Sequence, residues 1–249
     1  MEKVKIKTPR GKCIVGNMIS NKSDTIVVLA HGFTNDKSSN GRFDRTTKAL
    51  NSDGLDTLAI DFSGSGESDD DALTLENQYE DLSSVIEYLL NKSYEKIILF
   101  ANSFASISCL KNYRPEILTM ILTGAVTDSV KYKWHEFFSL DQLEDLNKNG
   151  YFKMKNKREH LIVKQTLKDF EEIDQVKLLK NVKCPVLIIH GNNKDDLEEI
   201  ELLSHSRRAI KKLPEASELE VIEGGRHGLH DHWDQVIEMT LQWTRKYKE

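Results

Sequence analysis

Short aliphatic runs recur along the chain, each bounded by polar or glycine-containing segments: Thr25 to Ala30, Asp56 to Asp61, Lys96 to Ala101, Thr119 to Gly124, Pro185 to His190 and Glu218 to Glu223. They are continuous rather than alternating and rich in Ile, Val and Leu, as in strands buried on both faces of a parallel sheet. Between them the spacing predicts helices, most clearly over Leu75 to Asn91. There Leu75, Tyr79, Leu82, Ile86 and Leu89 fall three and four apart and make one apolar stripe. The first twenty residues read differently: Val4 to Lys7 and Cys13 to Val15 flank Pro9-Arg10-Gly11, a hairpin that adds antiparallel strands at one edge.

From Gly124 to Pro185 lie about sixty residues, more than one helix and two loops require. The excess, Val130 to Lys180, is rich in charge and carries Tyr132, Trp134, Phe137, Phe138, Tyr151 and Phe152. Helical spacing over Phe138 to Leu146 and over Leu161 to Leu179 predicts a small helical cap. With no internal repeat, low-complexity tract or Pro-rich linker, residues 1–249 read as a single domain with this cap inserted at about 130–180.

The 249 residues are 39% hydrophobic and 30% charged, enough for a core that buries roughly 70–75% of the unfolded surface without staples. Cys13, Cys109 and Cys184 are an odd number set in apolar stretches, which predicts free thiols in a reducing compartment. The start, Met1 to Lys7, alternates charge with aliphatics and builds no secretory apolar centre, so a cytoplasmic location is expected. No apolar run approaches the ~20 residues that span a bilayer, so no membrane association is expected. Charges are interspersed and sum to -5, leaving no electrostatic footprint for nucleic acid. Nothing in the sequence bears on oligomeric state.

The richest stretch for chemistry is Ile97 to Ser106, in which Ser103 sits between a buried strand and a helical pattern with Ala101 and Ala105 on either side. A serine at such a turn, between small residues, is placed as a nucleophile elbow, with the Phe104 N–H aimed at a developing oxyanion. It equally suits a plain helix cap. His31-Gly32-Phe33 leaves the first buried strand and offers the Phe33 N–H as a second oxyanion donor, or merely shapes the strand-to-helix turn.

His227 follows the last strand in Glu223-Gly224-Gly225-Arg226-His227, arriving after serine and acid as a general base should in this chain order. His230, Asp231 and His232 invite a metal reading, but no second ligand cluster complements them and none is expected. The acid should leave the strand ending at His190. Asp195 is the first choice and Asp196 its competitor, although either carboxylate also suits the cap of the helix running to Lys212. Asp128 is an outside candidate. Gly64-Ser65-Gly66-Glu67-Ser68 lacks the third glycine of a dinucleotide fingerprint and the Gly-Lys-Ser/Thr of a P-loop. It reads as a turn, and no cofactor is expected.

Together His31-Gly32-Phe33, Asp61 to Ser68, Ala101 to Ala105, Ile189-His190-Gly191 and Glu223 to His227 resemble the α/β-hydrolase family over about residues 25 to 245. Within it, His31 to Lys37 and Val221 to His227 look most like cinnamoyl or feruloyl esterases and related small acyl hydrolases. The resemblance implies a mostly parallel sheet flanked by helices, Ser103 as nucleophile, His227 as base, an Asp after Gly191 as third member, and Phe33 and Phe104 as backbone oxyanion donors. Two features depart from the family pattern. Alanines replace both glycines of G-x-S-x-G, and Lys194 holds the position three after Gly191 where the acid commonly sits. The expected activity is hydrolysis of a small acyl or aryl ester, a small-molecule substrate, through an acyl-enzyme. The alternatives are a thioesterase or peptidase on the same triad, or a non-catalytic small-molecule binding protein.

Overall fold

In the computed structural model, which describes residues 1–248, the predicted strands are all present. They are β1 (Glu2–Lys7), β2 (Cys13–Ile19), β3 (Thr25–Ala30), β4 (Asp56–Asp61), β5 (Lys96–Asn102) and β6 (Ile117–Thr123), with β9 (Val186–Gly191) and β10 (Glu218–Ile222) completing an eight-stranded sheet. Its order is β1-β2-β4-β3-β5-β6-β9-β10. The β1–β2 and β2–β4 pairs are antiparallel, confirming the amino-terminal hairpin, and every later pair is parallel. Helices α1 (Arg42–Ser52) and α8 (Trp233–Tyr247) cover one face. On the other lie α2 (Leu75–Leu90), α3 (Ala105–Lys111) and α7 (Leu197–Ala209).

Residues of one strand feed both cores in turn. Ile26, Val28 and Ala30 of β3 pack toward α2 and α3, while Val27 and Leu29 pack toward α1 and α8 with Phe43, Leu50, Trp233 and Trp243. Covering both faces is what makes these strands read as unbroken apolar runs rather than alternating ones. Parallel pairing also points the carboxyl ends of β3, β5, β6, β9 and β10 toward one edge, where the strand-to-helix loops gather. Among the described residues no helix is long and apolar enough to cross a membrane.

The insert differs from expectation. Its helices are α4 (Leu140–Asn149), α5 (Lys164–Glu171) and α6 (Gln175–Leu179), but between α4 and α5 runs an antiparallel hairpin of β7 (Tyr151–Lys155) and β8 (Glu159–Val163). Phe152, His160 and Ile162 are buried while their strand neighbours are more exposed. That period of two governs a stretch too short and too charged to stand out from helical spacing. Phe138, Leu146, Phe152 and Ile162 form a small core of their own with Leu73. Arg158 and His160 latch the hairpin to the sheet. The Arg158 guanidinium donates to the carbonyls of Ser65, Gly66 and Ser68 and pairs with Asp70, and His160 Nδ1 lies 2.9 Å from the Gly64 carbonyl. The Gly64 to Ser68 segment is thus a turn, as expected, and its carbonyls receive the insert.

Replacing Arg158 removes the charged donor from three carbonyls at once. Arg158→Ala is expected to cost about 1–3 kcal/mol of stability and to speed proteolytic cleavage between residues 130 and 171, read by a thermal melt and limited trypsinolysis.

Candidate active site

Ser103 directly follows β5 and takes φ 54°, a left-handed conformation that non-glycine residues rarely adopt and that clusters at functional sites. Alanine on both sides does not prevent the turn: Ala101 and Ala105 are fully buried and fit. The strain is held by neighbours. The Ser103 N–H donates to the Thr123 carbonyl at 2.8 Å, and the Ser106 hydroxyl donates to the Ser103 carbonyl at 2.5 Å while accepting from the Val126 N–H at 2.9 Å. Ser103 is therefore an elbow rather than a helix cap. Phe104 comes next, just ahead of α3.

The loop after β3 is fixed by His31, which is fully buried. Its Nε2 accepts from the Phe62 N–H at 3.1 Å, so Nδ1 carries the proton and donates to the Gly32 carbonyl at 2.8 Å. This holds the Gly32–Phe33 peptide against the elbow. Among the described residues neither the Phe33 nor the Phe104 N–H donates to a protein acceptor, and both residues flank the elbow.

His227, in the loop after β10, places Nε2 3.1 Å from Ser103 Oγ. On its other side Nδ1 lies 2.7 Å from Glu199 Oε2. The carboxylate that reaches this imidazole is thus Glu199, in the first turn of α7. The expectation of Asp195 is corrected. Its side chain is 85% exposed and approaches only Arg226, at 3.9 Å. Asp196 is the cap that the sequence left open: one oxygen accepts from the Glu199 N–H at 3.0 Å and the other from the His227 N–H at 2.7 Å. It ties the Glu199 and His227 backbones together without touching the ring. Asp128 pairs with Arg208.

Asp195 lies exposed in the loop after Gly191, and α7 starts at Leu197 with Asp196 as its cap. Glu199 then falls on the buried stripe of that helix with Leu202, Ser206 and Ala209. A lone acid on an apolar stripe is the one sequence signal that pointed to it. Its carboxylate has no exposed surface and accepts from the Gly191 N–H at 2.7 Å and from His190 Nδ1 at 2.8 Å, both on Oε1. Burial alone would raise its pKa, but hydrogen bonds and charge from His190 and His227 prevail and hold it at about 2. Burial likewise pulls His227 down, and the hydrogen bond and charge of Glu199 outweigh it, so the imidazole titrates above its ordinary value.

Two further contacts close the site. Gly124, after β6, has φ 54°, and a Cβ there would stand 3.0 Å from His227 Cε1 and 3.1 Å from its Nδ1, so glycine lets both the turn form and the ring approach this strand end. Arg42, buried at the start of α1, donates to the Gly228 carbonyl beside His227 and lies 4.9 Å above the Trp233 ring. His230, Asp231 and His232 form a short turn leading into α8.

Ser103 and His227 open into a cavity of about 340 Å³. Its lining includes the polar side chains of Asn35, Arg42 and His230 and, from the insert, the aromatic rings of Tyr132, Trp134, Phe137, Phe138 and Phe170. Phe170 stacks on Phe104 with ring centroids 4.3 Å apart and meets Phe33 edge-on at 5.5 Å. Aromatic packing thus couples the insert to both Phe33 and Phe104.

The family model described as Serine aminopeptidase, S33 matches residues 21–166, which hold Phe33, Ser103 and Phe104. No curated protein matches the chain in sequence. Among solved structures, Est1E of Butyrivibrio proteoclasticus with ferulic acid bound is similar at 18% identity and TM-score 0.77, covering 98% of each chain. An esterase of Exiguobacterium antarcticum is similar at 21% identity and TM-score 0.75, covering 98% of this chain and 100% of that one. A thermophilic esterase of Thermogutta terrifontis gives 19% identity and TM-score 0.71 over 99% of both chains. These likenesses establish the fold.

NMR titration of His227 is expected to give a pKa above that of an unperturbed histidine. In Glu199→Gln, with the largest influences opposing burial removed and only the charges of Glu198 and Asp196 left against it, the same titration is expected to fall. Asp195→Asn leaves it in place, which separates the two carboxylates.

Proposed function

This chain belongs to the Serine aminopeptidase, S33 family of α/β-hydrolases, and we propose that it is a serine ester hydrolase working through Ser103, His227 and Glu199. The observation that carries the reading is the continuous hydrogen-bonded line from Ser103 Oγ through the His227 ring to a buried carboxylate, 3.1 Å and 2.7 Å long. His227 Nδ1–H donates to ionised Glu199, which leaves Nε2 to accept the Ser103 proton as Oγ attacks the ester carbonyl. The tetrahedral oxyanion is received by the Phe33 and Phe104 N–H groups. The imidazolium, stabilised by Glu199, then protonates the departing alcohol. Water activated by His227 cleaves the acyl-enzyme and frees the acid.

The aromatic lining favours an aryl or medium-length apolar group on the substrate, since a cavity of this size lined by rings discriminates by shape and apolar contact. Ferulic acid held by Est1E is in keeping with this choice. A second reading, release of an amino-terminal residue from a peptide, draws on Glu198. Its carboxylate lines the same cavity and accepts from the Tyr132 hydroxyl at 2.6 Å, a place where it would pair with a substrate ammonium group.

A fluorophosphonate probe is expected to label Ser103 and abolish turnover of an aryl ester; no adduct and no turnover would overturn the enzyme reading. Glu199→Gln should lower kcat by about 10²- to 10⁴-fold, with Asp195→Asn unchanged. The kcat/KM profile should fall on the acid side of a pKa above 6.5, the ordinary value for the raised His227, because the protonated ring cannot act as base. Esters against aminoacyl anilides, with Glu198→Gln beside the native chain, decide the second reading: loss confined to the anilides supports it.

A further inference from the structure

The buried histidine at the end of β9 is used by none of the steps above. His190 has no exposed surface, and both its ring nitrogens are engaged, Nδ1 with Glu199 Oε1 at 2.8 Å and Nε2 with Ser206 Oγ at 2.9 Å. Ser206 is itself fully buried on α7, two turns beyond Glu199. The two histidines therefore divide the carboxylate between them, His190 on one oxygen and His227 on the other.

We propose that His190 is a positioning residue of the triad, which orients the Glu199 carboxylate so that Oε2 alone is presented to His227. The proposal rests on Glu199 being the third member. Its physical basis is the length and origin of that side chain. An aspartate on a loop has two torsions to fix; Glu199 projects from a helix through three, and holding it in one rotamer costs side-chain entropy. The Gly191 N–H fixes one point of the carboxylate at 2.7 Å, which leaves rotation about that contact open. A second donor on the same oxygen closes it, and ionised Glu199 can only accept, so His190 must carry its proton on Nδ1. Ser206 keeps the imidazole from turning. Because β9 is the strand next to β10, His190 also ties the acid to the sheet from which the His227 loop departs.

His190→Leu removes the donor at similar bulk, whereas His190→Asn keeps an N–H near the position of Nδ1. The leucine variant is expected to lose about 10- to 100-fold in kcat with KM changed less than about threefold, and to lose the low-field proton resonance of His227 Nδ1. The asparagine variant should recover both to within about fivefold of the native chain. Ser206→Ala, which leaves His190 in place but unbraced, should lower kcat by about three- to tenfold and broaden the same resonance; it serves where the leucine variant does not fold. Native kcat and an unaltered resonance in His190→Leu, or in Ser206→Ala where it stands in, overturn the proposal. Glu199→Gln is run beside them. If it keeps native kcat, the assignment of Glu199 has failed; if it is crippled while His190→Leu is not, only the positioning role has failed.

Discussion

A carboxylate without solvent contact must find its hydrogen bonds within the protein, since stripping water from an ion costs several kcal/mol that only close donors offset. For Glu199 those donors come from three places: the β9 histidine, the amide of Gly191 and the ring of His227. None is available unless β9 and β10 pair in register and α7 folds back onto the sheet with its first turn over the strand ends. The site is in this sense a product of the sheet edge. Removing any one element leaves a buried charge short of partners, which ties folding of the last third of the chain to assembly of the Ser103–His227–Glu199 cluster.

The same edge explains how a strained serine is tolerated. Ser103 sits in the left-handed region between two alanines, and its backbone is clamped by Thr123 on one side and Ser106 on the other. His31 performs the matching task for the loop opposite, with both ring nitrogens bonded to backbone. Rigid placement of N–H groups is what electrostatic stabilisation of an oxyanion requires, because donors that must reorganise lose most of their advantage. Above this frame the insert supplies apolar surface and reaches down through Phe170 onto Phe104 and Phe33. A change in the insert thus bears on the Phe33 and Phe104 loops as well as on the cavity lining.

Much of this was legible in the chain. The apolar runs of β3, β5 and β9 are continuous because both faces are covered. Ser103 and His227 stood out because turns at strand ends carry local signals of small residues and glycine. The acid was not legible in the same way. Between 195 and 201 the chain offers Asp195, Asp196, Glu198, Glu199 and Glu201, all equal in charge. Asp196 three residues before Glu199 looks like a helix start, but in a capping box the glutamate would turn back to its own cap. Here it turns to a histidine 28 positions away.

The sequence alone determined the strands of the main sheet and the turns that carry Ser103, His31 and His227, because each depends on neighbours within a few residues. Tertiary structure alone decided which carboxylate serves His227 and that the insert carries a hairpin. Helical phase at the start of α7 is set by its packing on β9, and the alternation of β7 and β8 acquires an inside and an outside only when Phe152 and Ile162 meet Phe138 and Leu73.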